Sequence, residues 1–190
     1  MSEIVAVTGL MRSGTSLAAA ILHRLGGFAG VYITAPMPPT WKGDWEDPWA
    51  LDLMMEKKLK PKFFREWIDS KRESAGMYGF EKIQLKSPYL ALHMAPLLEA
   101  APDIFVVATN RDPGAVSSSM ARHPQLTLKD QGRIRAALES VTPRYVFDCD
   151  HCQADPQSEI QSLCMALGLD PGSDLEEAAA LVDQKKAEVF

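Results

Sequence analysis

The sequence predicts an α/β protein built on a mostly parallel sheet with helices on both faces, and three observations carry that prediction. Short apolar runs alternate with amphipathic helical stretches, the pattern of successive β–α units rather than of hairpins. The first apolar run, Ile4 to Val7, leads through a glycine-bounded loop straight into a helix. Later strands give way to helices at cap–proline pairs, Ser87-Pro88 and Asp112-Pro113.

Each element has its own signal. Leu17, Ile21, Leu22 and Leu25 share one helical face, which stops at Gly26-Gly27. Phe28 to Ile33 is a short apolar stretch, and the proline-containing segment from Ala35 to Pro48 reads as a long loop. Helices are expected over Trp49–Leu59 and Pro61–Ser74. Ile83 to Lys86 reads as a strand, as do Ile104 to Thr109 and Tyr145 to Phe147. Asp155-Pro156 opens a helix with Ile160, Leu163, Cys164 and Leu167 on one face, closed by Gly168. Ser173 and Glu176 have capping-box spacing before a last helix. No repeat or low-complexity tract interrupts this series, so one domain over residues 1–190 is expected.

Composition narrows the function classes. At 46% hydrophobic and 24% charged residues, the chain has enough apolar matter for a globular core. No apolar run approaches the ~20 residues of a membrane span, and the N-terminus enters the first strand without a basic leader, so a cytoplasmic protein without membrane partners is expected. A net charge of −5 argues against bulk affinity for nucleic acid, so a polyanionic ligand must meet a local gathering of cations.

Gly9-Leu10-Met11-Arg12-Ser13-Gly14-Thr15-Ser16 supplies the place for such a gathering. A strand, a glycine loop and a helix N-terminus form a phosphate cradle, because loop N–H groups and the helix dipole both face the anion. The frame is that of the phosphate loop G-x-x-x-x-G-K-S/T, but Thr15 stands where the lysine would be and Arg12 supplies a cation from within the loop. That exchange points away from an ordinary Mg-ATP enzyme and toward another phosphate ligand. Arg12, Lys86 and Arg111 each stand at the end of an expected strand, where ligands of open parallel sheets bind.

The loop Gly9 to Leu17 resembles the 5′-phosphosulfate loop of the PAPS-dependent sulfotransferases, and Arg111-Asp112-Pro113-Gly114-Ala115-Val116-Ser117-Ser118-Ser119 resembles their 3′-phosphate motif. Leu85-Lys86-Ser87-Pro88 is similar to a strand-end segment many of them carry, Gly43-Asp44-Trp45-Glu46-Asp47 resembles a stretch of many bacterial members, and the Asp155-Pro156 helix ending at Leu169 is similar to their C-terminal helix. The whole resembles a short bacterial-type member in family order over about residues 4 to 170. The resemblance implies a three-layer nucleotide-kinase-like P-loop fold. It also implies transfer of a sulfuryl group from 3′-phosphoadenosine 5′-phosphosulfate (PAPS) to a hydroxyl or amine of a small-molecule, sugar or peptide acceptor, with no metal required. It assigns Arg12, Ser13, Gly14, Thr15 and Ser16 to the 5′-phosphate and sulfate, Arg111 and Ser119 to the 3′-phosphate, and Lys86 to the neighbourhood of the leaving oxygen. Many cytosolic members carry a histidine base where Pro88 stands here, so the resemblance points to a carboxylate base, with Glu46 as the candidate. A Mg-ATP kinase of the same fold and a non-catalytic nucleotide-binding protein are the alternatives.

The remaining signals admit milder readings. Trp41, Trp45 and Trp49 recur through the proline-containing loop, as an aromatic lid over an acceptor or as pins holding the segment to the core. The three cysteines, with Cys149 and Cys152 in CxxC spacing, read as structural residues near the core. His23, His93 and His123 read as surface or capping residues.

Overall fold

Along β1 (Ile4–Gly9) successive side chains enter opposite cores, Ile4 and Ala6 one, Val5 and Val7 the other. β4 (Phe105–Asn110) does the same, with Val106 on the first side and Phe105 and Val107 on the second. A two-residue period with both faces apolar is what a strand needs when helices cover both sides of its sheet. The computed structural model describes residues 3–30, 48–56, 58–122, 128–170, 172 and 174–187, with the backbone alone at 48, 56, 128 and 184–187.

With β2 (Gly27–Phe28), β3 (Lys82–Lys86) and β5 (Tyr145–Asp148), these strands form an all-parallel sheet in the order β2-β3-β1-β4-β5. Parallel neighbours cannot be joined by tight turns, so each connection carries helix across a face. Helix α1 (Thr15–Arg24) follows β1; α2 (Pro48–Glu56) and α3 (Pro61–Met77) precede β3. A 3₁₀ helix (Pro88–His93) and α4 (Met94–Ala100) lie between β3 and β4, and α5 (Pro113–Ala121) and α6 (Leu128–Leu138) between β4 and β5. α7 (Cys149–Ala154), α8 (Pro156–Leu167) and α9 (Asp174–Ala187) complete the chain.

The two cores divide the helices. Phe64, Trp67 and Ile68 of α3, Leu90, Leu97, Val116 and Ile134 pack with Ile83, Leu85 and Val106 on one face. Leu17 and Ile21 of α1, Cys152, Ile160, Leu163 and Val182 pack with Val107 and Phe147 on the other. This is the three-layer architecture expected from the sequence. Among the described residues no helix is long and apolar enough to cross a membrane.

The cap–proline starts behave as their chemistry requires. Asp112 accepts from Ala115 N–H at 2.8 Å and Asp155 from Ser158 N–H at 3.1 Å, each with proline at the first helical position. At Ser87-Pro88 the outcome differs from the α-helix expected. Ser87 Oγ accepts from Tyr89 N–H at 3.2 Å, but the chain runs as a 3₁₀ helix to His93 and becomes α-helical only at Met94. Pro96 explains the break: in a continuous α-helix its ring would clash with the Leu92 carbonyl, whereas a helix starting at Met94 puts it in the first turn, where no intrahelical N–H is needed. His93 is also not a surface residue. It is buried, and its Nε2 pairs with the Met54 carbonyl at 2.9 Å, tying this segment to α2. Ser173 and His123 lie outside the described residues.

Candidate active site

β3, β1 and β4 are adjacent, so what leaves their carboxyl ends shares one edge of the sheet. The β1 loop is shaped from within. Arg12 adopts a left-handed backbone, φ 68°, and Ser13 N–H closes a turn on Leu10 O at 3.1 Å. The Ser13 hydroxyl points into the loop, 2.6 Å from Leu10 O and 2.5 Å from Thr109 Oγ1 on β4, so its contribution to the cradle is to fix the loop's curvature. Gln131 of α6 clasps the loop from the other side, accepting from Met11 N–H at 3.0 Å and donating to Met11 O at 3.2 Å.

Gly14 ends the loop at φ 99°, and a Cβ there would lie 2.6 Å from Cys149 Sγ. The thiol is fully buried, so the loop rests directly on the first residue of α7. Gly14→Ala should therefore cost about 1–3 kcal/mol through overpacking and backbone strain, about 2–12 °C in Tm for a chain of this size. Adding Cys149→Ala should recover only part of it, since the strained φ remains. A Gly14→Ala protein melting with the parent would contradict this loop geometry. Beyond Gly14, the first helical N–H with an intrahelical acceptor is that of Ala18, on Gly14 O at 3.0 Å. Helix geometry therefore leaves the N–H groups of Thr15, Ser16 and Leu17 facing out of the N-terminus of α1.

The two sequence motifs meet through their side chains. Arg12 Nε donates to Ser119 Oγ at 2.9 Å, and Arg111 Nη1 donates to Arg12 O at 3.3 Å. Residues 107 apart in sequence thus form one surface, because α5 returns Ser119 over the loop that carries Arg12. Arg12 is exposed, Arg111 is half-buried and Ser119 is buried. Lys86 sits deeper. The register pairs it with Val7, two residues before Gly9, and it is 4% exposed. Arg111 and Arg12 lie progressively nearer the surface. Thr8 Oγ1 donates to Pro88 O at 3.3 Å, fixing the chain immediately after Lys86.

Sequence reasoning missed Gln131 and Asp150, and passed over the α7 segment as structural cysteines. Asp150 pairs with Arg111, Oδ1 to Nε at 3.6 Å, and accepts from Asp112 N–H at 2.5 Å. Asp148 caps α7, accepting from the N–H groups of Asp150 and His151 at 3.0 and 2.9 Å. All three cysteines are buried, and burial pushes the Cys164 thiol up to about 11, which fits packing rather than redox chemistry. Glu46, Trp41 and Trp45 lie outside the described residues; Trp49 packs edge-on against Phe63 and Trp67, with ring centroids 5.5 and 6.2 Å away.

Glu159, buried on α8, braces this end of β5. It accepts from Tyr145 Oη at 2.8 Å, from Asp148 N–H at 3.0 Å and from His151 Nδ1 at 2.9 Å. Burial and the bond to Glu159 push the Tyr145 phenol upward, and the bond to Glu159 raises the His151 imidazole above its ordinary 6.5. A group with a higher pKa folded than unfolded stabilises the fold while protonated. The His151 contribution is therefore complete below pH 6.5 and lost as pH rises through the elevated folded value. The stability difference between the parent and His151→Ala should shrink with rising pH across that window in denaturant titrations. A pH-independent difference would contradict the pairing.

Structural comparison places this geometry among known folds. The chain superposes on sulfotransferase STF1 from Mycobacterium tuberculosis with a TM-score of 0.61 at 17% identity, covering 93% of this chain and 70% of that one. For sulfotransferase STF9 from Mycobacterium avium the TM-score is 0.59 at 15% identity, over 98% of this chain and 68% of that one. The chain has the sulfotransferase fold. A sugar kinase from Janibacter sp. also aligns, with a TM-score of 0.52 at 17% identity over 90% of this chain and 97% of that one. No protein-family model and no curated protein matches the chain. At these identities the sulfotransferase fold is what the likeness establishes, and chemistry has to be argued from the site.

Proposed function

We propose that this chain transfers a sulfuryl group from PAPS to an acceptor hydroxyl or amine. The observation that carries the reading is the 2.9 Å bond between Arg12 and Ser119, which joins the 5′-side loop to the 3′-side motif. A nucleotide with phosphates on the 5′ and 3′ positions of one ribose brings two anions close together. Arg12 and Arg111, linked through Arg12 O, offer two neighbouring cations to match. A nucleoside triphosphate concentrates its charge along one chain and calls for the lysine that Thr15 replaces.

In the transfer, the sulfur–oxygen bond to the nucleotide breaks as the acceptor oxygen or nitrogen bonds to sulfur, and the bridging oxygen keeps the electron pair. Arg12 and the N–H groups at the start of α1 would hold the 5′-phosphate and sulfate oxygens as charge builds on them. Lys86, beneath them, would stabilise the leaving oxygen, and Arg111 with Ser119 would hold the 3′-phosphate. The acceptor's proton needs a base. His93 is bonded to Met54 O, His23 to Gly27 O and His151 to Glu159, so each histidine among the described residues has a structural partner. With Pro88 standing where the resemblance places a histidine, we assign the role to a carboxylate, Glu46.

The test is transfer of labelled sulfur from PAPS to a panel of phenols, sugars, amines and peptides, run beside transfer of labelled phosphate from Mg-ATP. Labelled sulfated product supports the reading. Phosphorylated product instead would make the chain a kinase, in line with its likeness to the sugar kinase fold, and binding of 3′,5′-ADP without transfer to any acceptor would make it a nucleotide-binding protein.

A further inference from the structure

Asp150 holds the turn that presents Arg111 at two points. Its Oδ2 accepts from the Asp112 backbone N–H at 2.5 Å, and its Oδ1 lies 3.6 Å from Arg111 Nε. Arg111 Nε is buried without a hydrogen-bond partner among the described residues, and the carboxylate facing it is that of Asp150. Arg111 Nη1 donates to Arg12 O, so the guanidinium is held at both its Nε and its Nη1. Two cations so close together repel, and a buried guanidinium nitrogen without a counter-charge is costly. A carboxylate behind Arg111 offsets both.

We propose that Asp150 is the positioning residue for Arg111, and that it sets the chain's preference for a nucleotide bearing a 3′-phosphate. The proposal rests on the donor reading above. Asp150 reaches the ligand only through Arg111; its own place is fixed by α7, where Asp148 caps its N–H at 3.0 Å and Cys149 seats the segment under Gly14. The side that reads the 3′-phosphate is thereby tied to the end of β5 as well as to β4.

The experiment compares dissociation constants for 3′,5′-ADP and 5′-AMP, which differ by the 3′-phosphate, in the parent and in Asp150→Ala and Asp150→Asn. Asp150→Ala should lower the preference for 3′,5′-ADP by about tenfold, with 5′-AMP affinity unchanged. Asp150→Asn should lower it by a smaller factor, because its carbonyl still accepts from Asp112 N–H; it also keeps the test decisive if the alanine variant does not fold. In an Arg111→Ala background, Asp150→Ala should change the preference no further, since it acts through that side chain.

An unchanged preference in a folded variant, or equal loss of both nucleotides, overturns the positioning role while leaving the donor reading in place. A further drop in the Arg111→Ala background overturns it too. A parent that binds the two nucleotides alike would instead overturn the donor reading, and this proposal with it.

Discussion

Arg12→Ala should lower affinity for 3′,5′-ADP by on the order of 10- to 100-fold, the consequence of losing a charge-assisted contact of ~1.5–3 kcal/mol. The substitution removes an exposed cation and, with it, the bond to Ser119 Oγ that joins the two sequence motifs. Isothermal titration of the folded variant measures the loss. Its cause can be separated from a structural one, because the loop's shape depends on Gln131, Leu10 and Thr109 rather than on the Arg12 side chain. The variant should melt within a few degrees of the parent. Arg12→Lys should recover little, since an ammonium cannot reproduce the fork geometry of a guanidinium that bonds Ser119 through Nε. Unchanged 3′,5′-ADP affinity in a folded Arg12→Ala protein would mean that the site has been misplaced.

Glu46→Gln should reduce sulfuryl transfer by ~10²- to 10⁴-fold, the usual contribution of general-base catalysis, while 3′,5′-ADP affinity stays at the parent value. The argument is one of elimination joined to sequence resemblance. Pro88 stands where many cytosolic sulfotransferases, by the sequence resemblance, carry a histidine; its carbonyl accepts from Thr8, and the described histidines are bonded elsewhere. Glutamine preserves size and hydrogen bonding but accepts no proton at working pH. The measurement is single-turnover transfer with an acceptor found in the panel above. Turnover near the parent rate, with donor affinity intact, would remove Glu46 from the mechanism and turn attention to the neighbouring carboxylate Asp47.

The parts of the fold that sequence made legible are those whose cause is local. The β1–loop–α1 unit follows from an apolar run, two glycines and a helical face within about two dozen residues. The starts of α5 and α8 follow from a capping aspartate beside a proline, and both aspartates cap as read. Other features depend on partners far along the chain. Gln131 acts on Met11 from 120 residues away, and nothing local to α6 announces that pairing. Asp150 acts on Asp112 across 38 residues, and its own surroundings in sequence, a CxxC segment, carry no sign of that partner. His93 reads as a capping residue until the fold brings Met54 O to it. The candidate site divides in the same way. The identity of its cations was written in motifs, but the bond between Arg12 and Ser119 and the brace behind Arg111 exist only once α5 and α7 have returned to the sheet edge.

The most direct test of the central claim, that this crevice takes a 3′,5′-bisphosphate nucleotide, is the melting temperature of the parent with 3′,5′-ADP and, separately, with Mg-ATP. A ligand at ~100 times its Kd adds about 2.7 kcal/mol of stability, roughly 5–10 °C for a chain of this size. The account predicts that rise with 3′,5′-ADP and a much smaller one with Mg-ATP at equal concentration. A rise with Mg-ATP and none with 3′,5′-ADP would contradict it.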